Sequence, residues 1–164
     1  MRKRQAPLPT PFSSSSRLGK ALRLLIIARP GDARQCLAAM AKVQGASDIT
    51  VVETLEDAFC AVENAHFDAI MFEVDDLDGP IDYLMGPLKR GVLGPERVCP
   101  LTIAVGLNGA AVAQSPNTAA YDPDLVLSKP LSFDKMRRAL VQAVAIAPSD
   151  APEHRPARRR GKAA

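Results

Sequence analysis

The chain has 164 residues, of which 47% are hydrophobic, and this suffices for one domain of ordinary size with terminal extensions. Aromatic residues make up only 4% and tryptophan is absent, so we expect an aliphatic core. No apolar run approaches the roughly 20 residues that a membrane span needs, and no apolar segment follows the basic N-terminus, so we expect a cytoplasmic protein with neither a membrane span nor a secretory signal.

The formal net charge of +3 is distributed unevenly along the chain. Residues 1–20 carry five basic residues and no acidic one, whereas residues 148–164 carry five basic residues and two acidic ones. Because these ends contribute +5 and +3 to the total of +3, the segment between them has a net charge of −5. Both ends are also poor in apolar residues, so we predict disordered basic tails at 1–20 and 148–164 around a folded domain at 21–147.

Apolar strand-like segments alternate with amphipathic helical segments through the predicted domain. The predicted strands are Leu22–Ala28, Asp48–Glu53, Asp68–Val74, Pro100–Gly106 and Asp124–Ser128. The predicted helices are Asp32–Val43, a segment from the Thr54 cap to Asn64, Ile81–Arg90, Asn108–Gln114, and a segment from the Ser132 cap to Ile146. Five such units predict an α/β domain whose parallel sheet is covered by helices on both faces, with ligands expected at the carboxyl ends of the strands.

Lys129 and Pro130 stand between the last predicted strand and the last predicted helix. This ending resembles that of response-regulator receiver domains of the chemotaxis type, and the resemblance covers roughly residues 21–146. It implies a flavodoxin-like, doubly wound (βα)5 fold with a five-stranded parallel sheet of order 2-1-3-4-5. It also implies bacterial two-component phosphorelay signalling, in which the partner is a histidine kinase, a phosphotransferase or a downstream regulator.

The chain departs from the receiver pattern where the predicted strands end. A working receiver has an acidic pair after its first strand that helps to hold magnesium, and those positions here are Ala28 and Arg29. Its third strand ends in the aspartate that accepts the phosphoryl group, and counting along the apolar run places Glu73 there. Magnesium requires hard oxygen ligands. The resemblance therefore implies that the receiver's metal site is missing from this chain.

The positions that switch a receiver are also changed. Val105 falls where a receiver ends its fourth strand with a threonine or serine, and Val126 falls where its fifth strand has an aromatic residue. Only Lys129 and Pro130 match the pattern. We therefore predict a stand-alone pseudo-receiver that is not an enzyme, needs no metal or cofactor, and acts by protein–protein contact independently of phosphorylation.

A functional, magnesium-dependent phosphoacceptor receiver is the main alternative. If the third strand extended two residues further, Asp75 or Asp76 would stand at the acceptor position. Against this alternative, residues 69–72 match the buried run that precedes the acceptor, and Arg29 still replaces a metal ligand. A nucleotide- or flavin-binding domain is disfavoured because the loop at 30–32 has a single glycine, where a phosphate-binding loop needs several.

The altered site suggests an internal ion pair. Glu73 would accept a contact from Arg29 or from Lys129, and such a contact would hold one conformation without phosphate. The alternative is that these side chains are simply solvated at the edge of the sheet, where an ion pair contributes little.

The basic C-terminal segment is a second candidate functional region. Its candidate anion-binding residues are Arg155, Arg158, Arg159, Arg160 and Lys162. Arginine binds phosphate groups bidentately, and some receiver-like proteins have arginine-rich tails that bind cyclic di-GMP, so an effector of this second messenger is a further alternative. No aromatic residue interleaves the arginines, and DNA binding is not expected. The competing interpretation is a solvated tail.

The three cysteines are Cys36, Cys60 and Cys99. They are widely spaced and odd in number, and two of them fall in predicted helices. We therefore expect reduced, buried thiols that form neither a disulfide nor a metal site.

Overall fold

The computed structural model describes residues 22–46, 48–94 and 99–146. The tails predicted at 1–20 and 148–164, and the domain limits at 21 and 147, lie outside the described residues.

Five strands form one parallel sheet. The strands are β1 (Arg23–Ile27), β2 (Asp48–Val52), β3 (Ala69–Glu73), β4 (Leu101–Gly106) and β5 (Leu125–Ser128). Their order is β2-β1-β3-β4-β5, and every neighbouring pair is parallel. The predicted fold class and strand order are confirmed. At most ends the strand begins or ends one residue inside the predicted limit.

One helix follows each strand. The helices are α1 (Asp32–Val43), α2 (Leu55–Asn64), α3 (Asp82–Lys89), α4 (Gly109–Gln114) and α5 (Phe133–Ile146). Thr54 Oγ1 accepts a hydrogen bond of 3.1 Å from the backbone N–H of Asp57, so the predicted cap of α2 is confirmed. One element was not predicted: a 3₁₀ turn at Val74–Asp76 directly follows β3.

The core lies on both faces of the sheet. Along β1, Leu24 and Ile26 pack on the face covered by α1 and α5, whereas Leu25 and Ile27 pack on the face covered by α2 and α3. All four side chains are at most 1% exposed. Burying an aliphatic side chain of this size contributes roughly 1.5–3 kcal/mol, so these strands order the domain through aliphatic packing, as the composition predicted.

The expectation that the cysteines are buried is wrong. Cys36, Cys60 and Cys99 are free thiols, as predicted, but all three are exposed. On α1 the buried positions are Leu37, Met40 and Ala41, and Cys36 lies outside this stripe. Helical periodicity therefore leaves the thiol on the solvent side.

A hydrogen-bonded cluster ties the beginnings of β4 and β5 together, at the edge of the sheet opposite Glu73. Asp124 Oδ2 accepts hydrogen bonds from the backbone N–H of Thr102 at 2.7 Å and from its hydroxyl at 2.9 Å. The same hydroxyl lies 3.1 Å from the hydroxyl of Tyr121. Burial raises the pKa of Tyr121 to about 12, and Lys89 Nζ lies 4.1 Å from the centre of its ring. This cluster has a structural role and is remote from the candidate site.

Candidate functional site

Glu73 ends β3 and is buried at the carboxyl edge of the sheet. Its backbone pairs in register with Val105 of β4, and the whole residue is 3% exposed. Its carboxylate oxygen Oε1 forms an ion pair with Nζ of Lys129. The contact that was predicted as a Glu–Lys or Glu–Arg pair therefore involves Lys129. The pair is largely desolvated on the Glu73 side.

The second carboxylate oxygen of Glu73 lacks a partner. Oε2 is buried and has no hydrogen-bond partner in the described part of the chain. Val105, which is in register with Glu73 on β4, and Ala28, which follows β1, are apolar and belong to the core. A buried carboxylate with one free oxygen is destabilising in isolation, so Glu73 depends on Lys129 for its charge balance.

Lys129 follows β5 and is anchored by backbone contacts. Its N–H donates a 2.8 Å hydrogen bond to the carbonyl of Gly106, and its peptide bond to Pro130 is cis. Lys135 Nζ donates to the carbonyls of Ser128 and Pro130, each at 3.0 Å. The Lys129 side chain is 31% exposed. The first turn of α5 thus fixes the backbone on both sides of the lysine, while its ammonium group reaches inward to Glu73.

Arg29 is not the partner of Glu73. The residue is exposed, and its structural role is carried by its backbone N–H, which donates a 3.1 Å hydrogen bond to Asp76 Oδ2. Among the described residues its guanidinium forms no ion pair with Glu73. Arg29, which stands where a working receiver has an acidic residue, is therefore a solvent-facing cation beside the site.

Asp75 and Asp76 lie in the 3₁₀ turn after β3. The strand ends at Glu73, so the two-residue extension assumed for an acceptor at Asp75 or Asp76 is not found. Asp75 is exposed, and Asp76 is partly buried by its contact with the Arg29 backbone. The turn is also held by Asn117, whose Nδ2 donates to the carbonyl of Val74 at 3.1 Å.

Sequence reasoning missed the role of Asn117. Its side chain also donates to the carbonyl of Leu77 at 3.4 Å, and its own carbonyl accepts from the N–H of Ile81 at 2.9 Å. These bonds join the segment after α4 to the segment after β3. No pattern in the sequence indicates them, because the partners are 40 and 43 residues apart for the two side-chain bonds.

No hydroxyl stands at the end of β4. Val105 is fully buried and pairs in register with both Glu73 and Leu127. The last residue of the strand is Gly106, and a Cβ added there would lie 2.6 Å from Cγ2 of Val112. Val126, in contrast, is 39% exposed beside a groove next to α4. The two predicted switch positions thus differ: Val105 belongs to the core and Val126 to the surface.

The residues present do not fit a receiver-type magnesium ion. Ala28 has no ligand atom in its side chain, Arg29 is a cation, and Glu73, the one buried carboxylate among residues 22–46, 48–94 and 99–146, is already paired with Lys129. In the described ranges no group of three His, Cys, Asp or Glu side chains is placed to hold a metal ion. A divalent ion here would face two fixed positive charges with few oxygen donors.

The candidate anion-binding residues of the C-terminal segment, Arg155, Arg158, Arg159, Arg160 and Lys162, lie outside the described residues. Their predicted role stays a prediction. Among the described residues, no helix is long and apolar enough to cross a membrane.

Comparison with known proteins links the fold to receiver domains. No protein-family model and no curated protein matches the chain. Solved structures do match. A receiver domain of Methylobacillus flagellatus is 17% identical with a TM-score of 0.60, and the alignment covers 76% of this chain and 99% of that one. The receiver domain of a Pseudomonas aeruginosa sensor histidine kinase, solved with magnesium in its active-site cleft, is 16% identical with a TM-score of 0.61, covering 76% and 99%.

A third solved structure is described as an atypical orphan response regulator with a phosphorylation-independent regulatory mechanism. It is 15% identical with a TM-score of 0.57, and the alignment covers 79% of this chain and 100% of that one. Together these likenesses establish the fold: the chain has the architecture of a response-regulator receiver domain, as the Lys129-Pro130 ending predicted.

Proposed function

We propose that this protein is a pseudo-receiver that acts in two-component signalling through protein–protein contact, independently of phosphorylation. The observation that carries the proposal is the buried ion pair between Glu73 and Lys129. It occupies the two positions at which a working receiver would hold its acceptor and the lysine that contacts the phosphoryl group. The proposed partner is a histidine kinase, a phosphotransferase or a downstream regulator in the cytoplasm.

The ion pair and the replaced acidic residues argue against phosphoryl transfer at this site. The metal and the lysine of a receiver neutralise charge on the transferring group. Here the charge of Lys129 is already balanced by Glu73, and the acidic pair is replaced by Ala28 and Arg29. A glutamate also carries its carboxylate about 1.5 Å, one bond length, further from the backbone. Misplacement of that size costs roughly a hundredfold in rate.

The switch that would report a phosphoryl group is lacking as well. The end of β4 offers a buried valine and a glycine, neither of which has a hydroxyl that could move toward a phosphate. Val126 has no group that could couple the site to the neighbouring helices. The Glu73–Lys129 contact therefore supports a single conformation that a partner recognises without a phosphorylation cycle. The solved relative with a phosphorylation-independent mechanism offers a precedent on the same fold.

Intact-mass spectrometry with a phosphodonor tests the proposal. The full chain is incubated with acetyl phosphate and magnesium, and separately with beryllofluoride and magnesium. We expect no phospho-adduct and no receiver-type spectral change. The matched control is the double variant Asp75→Asn/Asp76→Asn. An adduct on the native chain that this variant abolishes would identify the alternative, a working phosphoacceptor receiver, and would overturn the proposal.

Capture of a partner from cell extract tests the interaction itself. We expect the native chain to retain the same partner with and without phosphodonor, and a chain with Glu73 exchanged for Gln, which lacks the ion pair with Lys129, to retain less of it. A variant whose C-terminal basic residues are replaced by Gln separates the domain from the tail. If only the tail variant loses the partner, and cyclic di-GMP does not change partner binding by the other chains, the function belongs to the tail instead.

A further inference from the structure

The outer edge of β2 is open. β2 pairs with β1 on one side and, within the described ranges, has no strand neighbour on the other. Such an edge presents backbone N–H and C=O groups to an additional extended segment. Val51, the fourth of the five residues of β2, is 36% exposed. The edge is therefore available for pairing with an extended chain.

A groove lies along this edge. It has a volume of about 640 Å³ and is formed by β2, α2 and the segment before β3. Its apolar lining includes Val51, Ala61, Ala65 and Phe67, and the exposed thiol of Cys60 also faces it. The groove can take apolar side chains from a segment that pairs with the strand.

The surroundings of the groove are strongly acidic. Residues 48–64, which comprise β2, the following turn and α2, contain five acidic residues and no basic one. Two of them, Glu53 and Asp57, line the groove itself, where Arg34 is the only basic lining residue among those described. At the start of β2, the carboxylate of Asp48 forms an ion pair with Arg23 at 3.5 Å. The occupant that fits is an extended segment with basic and some apolar side chains.

We infer that the chain's own N-terminal segment, residues 1–20, occupies this edge and groove. The segment carries five basic residues and no acidic one, which matches the charge of residues 48–64. It also supplies large apolar side chains, among them Leu8 and Phe12, and the serine run 13–16 has backbone N–H groups for the edge. The proline residues around them suit an outermost strand, which needs no partner on its far side.

The N-terminal segment joins the sheet close to the open edge of β2. It leads into β1, where Arg23 is in register with Asp48 at the start of β2. The outer edge of β2 is about 10 Å from β1, two strand spacings, while twenty extended residues span up to about 66 Å. The segment would run antiparallel to β2 and then turn into β1. The other basic segment, 148–164, follows α5, whose strand contacts are with β4 and β5 at the opposite edge of the sheet, although α5 also packs on α1.

The exposed thiols supply the measurement. Cys60 faces the groove, and Cys36 on α1 is an exposed control thiol. In the full chain, the variants Cys36→Ser/Cys99→Ser and Cys60→Ser/Cys99→Ser leave one thiol each, and the rate of labelling by an uncharged maleimide is followed. Each variant is compared with a matched variant in which the five basic residues of segment 1–20 are also replaced by Gln.

We expect the native tail to slow labelling of Cys60 by about tenfold and to leave Cys36 unchanged. A tethered segment has an effective concentration of roughly millimolar, so a contact with a dissociation constant of about 100 µM produces this protection. Added salt should remove the protection of Cys60. The groove variant Glu53→Gln/Asp57→Asn should also remove this protection, although its tail is unchanged.

Three results would overturn the inference. The first is an equal rate for Cys60 with the native and the neutral tail. The second is protection that disappears on dilution, which would assign the groove to a second copy of the chain. The third is protection of Cys60 that is lost when the basic residues of segment 148–164 are neutralised, but is kept when the basic residues of segment 1–20 are neutralised.

Discussion

Removal of Lys129 should destabilise the protein much more than removal of its partner Glu73. In Lys129→Met, the carboxylate of Glu73 stays buried, with 4% of its side chain exposed, and both of its oxygens lack a partner. Breaking a buried ion pair in this way costs about 3–5 kcal/mol. The Lys129 side chain is 31% exposed, so water screens part of the interaction and the lower end applies, about 3 kcal/mol.

The matched variant is Glu73→Met. It removes the buried charge together with the unpaired oxygen Oε2, and the new side chain stands beside Val105, its register partner on β4. Lys129 then extends into solvent. Replacing the buried member of an ion pair by an apolar residue of similar size is often neutral or stabilising, so we expect a free energy of unfolding within about 1 kcal/mol of the native value, or above it.

Urea unfolding followed by far-ultraviolet circular dichroism measures both variants, with the double variant closing the cycle. A loss of about 3 kcal/mol corresponds to a decrease in Tm of roughly 6–12 °C for a chain of this size. The double variant should resemble Glu73→Met. Equal losses in the two single variants would contradict the expected asymmetry between the buried and the exposed member of the pair. No loss in Lys129→Met would mean that Glu73 is solvated, and the proposed locked site would have to be abandoned.

Four further changes test other parts of the structure. Arg29→Ala should alter stability by less than about 0.5 kcal/mol in thermal unfolding, since the side chain is exposed; a larger loss would place it in the site. Thr102→Val should cost about 1–3 kcal/mol in urea, because buried hydrogen bonds are lost. Gly106→Ala should destabilise, and adding Val112→Ala should restore most of the loss. Because Tyr121 keeps its proton until about pH 12 in the folded chain, against 10.0 for its ordinary value, stability should fall between these pH values, and Tyr121→Phe should flatten that fall.

Local patterns predicted most of the secondary structure. Helix α1 runs from Asp32 to Val43 as predicted, because its buried residues recur at helical spacing. The cap at Thr54 was also predicted, since a cap depends on residues three positions apart. The 3₁₀ turn at Val74–Asp76 was not predicted. The carbonyl of Val74 in this turn accepts a hydrogen bond from Asn117, which is 43 residues away, and such a contact leaves no local signal in the sequence.

The sequence by itself determined the sheet, the register that places Glu73 at the end of β3, and the absence of the receiver's acidic pair. Only the tertiary structure decided which cation pairs with Glu73. Arg29 follows β1, the direct neighbour of β3, whereas Lys129 follows β5, two strands away. The nearer cation is excluded because Asp76 holds its backbone while the guanidinium stays in solvent. The long lysine side chain reaches across the end of β4, so three-dimensional packing outweighs strand adjacency.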